Sequence, residues 1–163
     1  MLVAALGPRR ALASAGEARR LRMLHTHTGE RLDVTYFDGA LVPGAMSAVD
    51  RFLRDFRTGD VRPIDPGALD IAWALAQATD RPRGTFEIIS GYRSPHTNAV
   101  LHERSAGVAV HSLHLLGKAI DLRLPGVPTR VLRDAALELR RGGVGFYPSS
   151  DFVHVDTGHV RRW

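Results

Sequence analysis

The sequence contains no cysteine. That absence removes disulfides, thiolate nucleophiles and cysteine-type zinc sites together, so any metal must be held by histidine and carboxylate. It leaves the compartment open, because an oxidising space permits disulfides without requiring them. Lysine is nearly absent too: Lys118 is the only one, and arginine carries the formal charge of +5. No stretch approaches the ~18 consecutive apolar residues of a spanning helix, and no internal repeat or low-complexity linker divides the chain. What remains is 163 residues, 44% apolar and 24% charged, the composition of one globular domain large enough to bury a core. A basic surface suits an anionic polymer or is simply a solvated face. The arginines are scattered along the chain and do not form a stripe interleaved with aromatics, which argues against a nucleic-acid groove.

The amino terminus has its own pattern. Leu2 to Leu6 is a short apolar run, followed by Arg9-Arg10 and the small residues Ala11 to Ala15. Those small residues resemble a signal-peptidase site, yet the run is shorter than the ~7–15 residues of a signal core. Residues 1–20 are therefore read as a leader remnant or a disordered tail, and 21–163 as the domain.

Along that domain, Leu21–Thr26 and Arg31–Phe37 alternate as a hairpin. Ala45–Arg57 is predicted as a helix with Met46, Val49, Phe52, Leu53 and Phe56 on one face. A second helix starts at Pro66 and runs to Thr79, with Leu69 and Trp73 as core anchors. Thr85–Ser90 reads as a buried strand, and Ser94 caps a helix that begins at Pro95 and reaches Arg104. Lys118–Leu124 is a strand, Thr129–Arg141 a helix stopped by Gly142-Gly143, and Val144–Tyr147 and Phe152–Asp156 are short strands. Regular βαβ alternation is lacking, so the expected class is α+β: a single domain with a small antiparallel sheet and helices packed around it.

Reactive residues concentrate after Ile89. In the strand from Lys118, Ile120, Leu122 and Leu124 share one face, which leaves Asp121 on the other. Gly117 lets the chain turn before that strand, so His114 folds back toward Asp121. In Phe152–Asp156, His154 and Asp156 lie opposite Val153 and Val155. His114, Asp121 and His154 would supply two nitrogens and one oxygen to one Zn2+ per chain, leaving a fourth position for water. Asp151, three residues before His154, is placed to act as general base toward such a water. Each element has a plainer reading: His154 as a hydrogen-bonded strand histidine, Asp156 as a turn or ligand-orienting residue, Asp151 as a cap on the 148–150 turn. His25, His27, His102 and His159 read as surface or structural residues.

Together these segments resemble the YcbK/MepK-like murein endopeptidases. The resemblance is carried by Ser90-Gly91-Tyr92-Arg93-Ser94, by Ser112-x-His114-x-x-Gly117-x-Ala119-x-Asp121, by Gly142 to Tyr147 and by Phe152 to Gly158. His27 to Glu30, Tyr36 to Gly39 and Ile64 to Gly67 fit as well. These enzymes are related to zinc D-alanyl-D-alanine carboxypeptidases and to the hedgehog signalling domain. The resemblance implies zinc on His114, Asp121 and His154, and Arg93 beside the metal binding a substrate carbonyl or carboxylate. It offers His111, His96, Tyr92 and Asp156 as further residues around the site. It implies peptidoglycan stems as the partner, an exported or periplasmic location, and hydrolysis of cross-links. Trimming of stem ends and a non-catalytic zinc-containing wall-binding module are the alternatives.

Overall fold

The computed structural model describes residues 16–105 and 107–163. The leader-like stretch up to Ala15 lies outside the described residues. Eight strands form one sheet: β1 (Arg19–His25), β2 (Arg31–Asp38), β3 (Ala40–Leu41), β4 (Thr85–Ser90), β5 (Ala119–Arg123), β6 (Gly143–Tyr147), β7 (Phe152–Asp156) and β8 (Arg161–Arg162). Their order is β3-β2-β1-β4-β5-β7-β6-β8. The expected α+β class is observed. The sheet is wider than the sequence suggested, and antiparallel except where β1 meets β4 and β6 meets β8.

Four helices accompany the sheet: α1 (Pro43–Phe52), α2 (Pro66–Ala78), α3 (Pro95–Arg104) and α4 (Thr129–Leu139). Asp65 caps α2 by accepting from the Gly67 N–H at 2.9 Å, and Pro66 occupies its first turn. Leu69 and Trp73 are buried as expected, along with Ala68, Ile71, Ala72, Ala74, Leu75 and Ala76, so α2 is enclosed on nearly all sides. Phe86, Ile88, Ile120, Leu122, Val153 and Val155 complete the core from β4, β5 and β7. Period-2 alternation then turns Asp121 and His154 to the opposite face of the sheet.

Two predicted helix ends differ. The first helix stops at Phe52, short of Arg57, because the buried Asp55 carboxylate takes the N–H groups of Arg57 at 3.0 Å and Ser94 at 2.9 Å. That turn carries Phe56 off the helix and stacks it on the His27 ring, 4.4 Å between centroids. His25 lies beneath, fully buried against Phe52 and Phe56, a core residue whose imidazole burial pushes down to about 4. The last helix stops at Arg140 in a left-handed conformation, ahead of the glycine pair. Gly142 serves another purpose: a Cβ there would lie 1.7 Å from the Asp156 carbonyl oxygen, so its smallness lets the chain pass β7.

Gly117 fixes the loop that enters β5. Its φ is +66°, and a Cβ would come within 2.3 Å of the Pro63 carbonyl oxygen. Its own carbonyl accepts from the Asp65 N–H at 2.9 Å, which ties the loop to the start of α2. Gly117→Ala should lower stability by on the order of 2 kcal/mol or more, from left-handed strain plus the clash. Urea unfolding checks this; a wild-type midpoint would mean the loop is not pinned here.

Candidate metal centre

Asp121 and His154 occupy the middles of β5 and β7 and are direct cross-strand partners in that antiparallel pair. Opposed residues on one face hold their Cβ atoms about 5 Å apart, close enough for two short side chains to share an ion. His114 arrives from a single 3-10 turn, Leu113–Leu116. Ser112 caps that turn by accepting from the His114 N–H at 3.3 Å, and Gly117 closes it. All three side chains are buried.

Their inner atoms converge. His114 Nε2 lies 3.1 Å from Asp121 Oδ1 and 3.1 Å from His154 Nδ1, and His154 Nδ1 lies 2.8 Å from Asp121 Oδ1. The outer atoms decide what these inner atoms carry. His114 Nδ1 is 2.6 Å from the Gly91 carbonyl, which only accepts, so the proton is assigned to Nδ1 and Nε2 keeps a lone pair. His154 Nε2 is 2.9 Å from Asp156 Oδ2, which assigns its proton outward in the same way and leaves a lone pair on Nδ1. Asp121 turns Oδ2 to the Arg93 guanidinium and Oδ1 inward. Three lone pairs thus face one another among buried side chains. A metal ion would satisfy all three, and two imidazole nitrogens with one carboxylate oxygen form a donor set that suits zinc.

The titration behaviour agrees. Burial pushes the His114 imidazole down, against the pull of Asp121. Burial would raise the Asp121 carboxyl, but His114 and His154 outweigh it and hold it well below the usual carboxylate range. For His154, burial acts downward and is overcome by Asp121 and Asp156, so its net shift is upward. In the metal-free protein a proton therefore competes for the place of the ion, and metal binding should strengthen as pH rises.

Asp156 is the support beneath His154. It is fully buried and accepts from Gly143 N–H at 3.0 Å, Gly158 N–H at 2.8 Å and both terminal nitrogens of Arg161. Burial would raise its carboxyl, yet His154 and Arg161 carry it below its ordinary value. Its contacts fit both sequence readings for Asp156: the Gly158 N–H holds the turn that follows β7, and the His154 contact orients that ring.

A cleft of about 270 Å³ opens over the cluster, bordered by Arg93, His111, Tyr147, Phe152, Arg161 and Trp163. Arg93 donates from Nε to Ser90 Oγ at 2.9 Å and from Nη2 to Asp121; Nη1 is the guanidinium group those contacts do not use. His111 borders the cleft. Three other sequence candidates are not brought to it. Tyr92 is packed in the core and borders a separate depression with Val61 and Leu116. His96 is exposed on α3 and does not line the cleft. Asp151 sits in a left-handed conformation, accepts a hydrogen bond from Thr129 and faces Arg123 at 3.7 Å, in a depression apart from the cluster. The three-residue spacing to His154 placed it near in sequence, but strand alternation and the turn at 148–150 direct it elsewhere.

Sequence reasoning passed over Arg161, Tyr147 and Trp163. The strand that brings Arg161 and Trp163 back is two residues long, too short to leave a pattern. The Asp156 support yields a test: Asp156→Asn should weaken zinc binding by ~10–100-fold by loosening the His154 tautomer. Chelator competition measures this, and unchanged affinity would separate Asp156 from the metal.

Comparison with known proteins covers nearly the whole chain. Residues 13–163 match the family model described as peptidoglycan L,D-endopeptidase MepK. The chain is 41% identical over 157 residues to the peptidoglycan L,D-endopeptidase MepK of Escherichia coli K12, covering 96% of this chain and 86% of that protein. It is 40% identical over 154 residues to the probable peptidoglycan L,D-endopeptidase MepK of Haemophilus influenzae, covering 94% and 83%. No solved structure gives a significant match.

Proposed function

The chain belongs to the peptidoglycan L,D-endopeptidase MepK family, and from that premise we propose that it is a zinc peptidase hydrolysing L,D cross-links between the peptide stems of murein. The observation that carries the reading is the convergence of lone pairs from His114 Nε2, His154 Nδ1 and Asp121 Oδ1 at the floor of an open cleft. Bound there, zinc would polarise the scissile carbonyl and lower the pKa of a water molecule.

The remaining work falls to the chain. His114, Asp121 and His154 would hold such an ion and leave the cleft side for substrate and water, as a catalytic centre requires. Arg93, through Nη1, is the donor proposed for the carbonyl oxygen as negative charge develops, at a cost reduced because Ser90 and Asp121 already fix its orientation. Proton transfer was expected of Asp151, and that role asks the 148–151 turn to release the carboxylate from Thr129 and Arg123. With the turn closed, His111 is the cleft-lining imidazole outside the ligand set, and the proposal gives it the proton.

The substrate implies an exported protein acting in the periplasm or wall. Among the described residues no helix is long and apolar enough to cross a membrane. Part of the arginine charge is neutralised, by Arg19–Asp70, Arg20–Asp33, Arg54–Glu30 and Arg123–Glu87 pairs, and this together with the scatter of arginines along the chain supports a solvated face over a polyanion-binding one.

Digestion of purified sacculi by zinc-loaded protein should convert cross-linked dimers to monomers, and a chelator should abolish it. Release of terminal residues alone would make the protein a carboxypeptidase, and no release with zinc bound would make it a binding module. Arg93→Ala should keep its metal while turnover falls ~10²–10³-fold; wild-type kinetics would leave Arg93 structural. His111→Ala should lose ~10²-fold and Asp151→Asn only a few-fold. The reverse ranking would return the base role to Asp151.

A further inference from the structure

We propose that Trp163 is a specificity-determining residue: it forms the apolar wall of the subsite beside the metal and takes the aliphatic side arm of a residue flanking the scissile bond. This rests on the peptidase reading above.

Trp163 is held from several directions and yet is not buried. Its backbone N–H donates to the Val144 carbonyl at 3.2 Å, and its carbonyl accepts from Phe146 N–H at 3.1 Å, extending the parallel pairing of β8 with β6. Its indole Nε1–H donates to the Tyr147 hydroxyl at 2.9 Å, and the Tyr147 ring stacks on Phe152 at 4.6 Å. The Arg161 guanidinium, already paired with Asp156, lies 4.8 Å from the indole centroid. Despite these ties, the residue is 50% exposed, and it borders the cleft. A tryptophan serving only the core would be covered. This one is immobilised and left open.

Its position is tied to the chemistry. The indole centroid is 5.1 Å from the His154 ring. Gly145, the β6 residue directly across from His154, leaves the space the indole fills: a Cβ there would lie 2.7 Å from the indole. The sheet thus omits a side chain opposite a metal-ligating residue, and the tryptophan occupies that room. Because the indole N–H is spent on Tyr147, the exposed part of the indole itself offers carbon surface. Across the cluster stands Arg93 with a donor group to spare. A ligand with an aliphatic arm on one side and a carbonyl or carboxylate on the other matches that pair of walls.

The test compares wild type, Trp163→Ala, Trp163→Phe, Gly145→Ala and the Gly145→Ala/Trp163→Ala double variant on a purified cross-linked stem dimer. Trp163→Ala should raise KM about tenfold or more through lost apolar contact, with kcat within about threefold and zinc affinity unchanged. Trp163→Phe should recover most of the loss. Gly145→Ala should raise KM by displacing the indole and add little in the double variant. A wild-type KM in Trp163→Ala, a loss confined to kcat and metal affinity, or full additivity would overturn the proposal. Independently of turnover, a Trp73→Phe background leaves Trp163 as the only tryptophan of the two in the chain. Its emission should shift when metal-free protein is titrated with a stem peptide, and no shift at saturation would count against the subsite. Failure of wild type to cleave any dimer would instead sink the peptidase reading, with the emission titration still deciding the role of Trp163.

Discussion

The site depends on two hydrogen bonds that point away from it. Gly91 takes the His114 proton and Asp156 takes the His154 proton, and so each imidazole turns a bare nitrogen toward Asp121. Without those outer acceptors the three inner atoms would satisfy one another by sharing protons, and the cluster would be an ordinary buried network. With them, the same atoms form a cavity of electron pairs whose natural occupant is a cation. The donors are thus made competent by their surroundings and not by residue type alone.

That constraint explains much of the architecture around it. Asp156 is a buried carboxylate, a state that costs several kcal/mol unless its oxygens are paired. Gly143, Gly158 and Arg161 supply the pairing, and two of these are glycines whose lack of a side chain lets the backbone N–H reach it. Arg93, just beyond the end of β4, plays the corresponding part for Asp121. The core face of β5 and β7, with Ile120, Leu122, Val153 and Val155 packed beneath the helices, keeps the register that sets Asp121 opposite His154. A slip of one residue would send both ligands into the hydrophobic layer and the valines into the cleft.

Much of this was legible in the letters, for particular reasons. Alternation in Lys118–Leu124 and Phe152–Asp156 separates apolar from chemical residues cleanly, so the faces of Asp121 and His154 follow from period 2 alone. The cap at Ser94 and the proline starts of α2 and α3 follow from local backbone chemistry, and both are found. What the letters did not carry was tertiary. Phe56 continues the helical spacing of α1, but Asp55 trades that helix for a turn that serves Ser94, 39 residues on. Asp151 stands at the expected spacing from His154, yet the left-handed turn at its own position aims it at Thr129. Arg161 and Trp163 reach the site through a strand of two residues, which has no periodicity to read.

The account turns on a cation between three named side chains. Diffraction at the zinc absorption edge, from crystals of the full chain grown with one equivalent of zinc, tests that directly. The account predicts a single anomalous peak bounded by His114 Nε2, His154 Nδ1 and the Asp121 carboxylate, with the Gly91 and Asp156 contacts retained. A zinc peak elsewhere, with His114, Asp121 and His154 still hydrogen-bonded to one another, would contradict it.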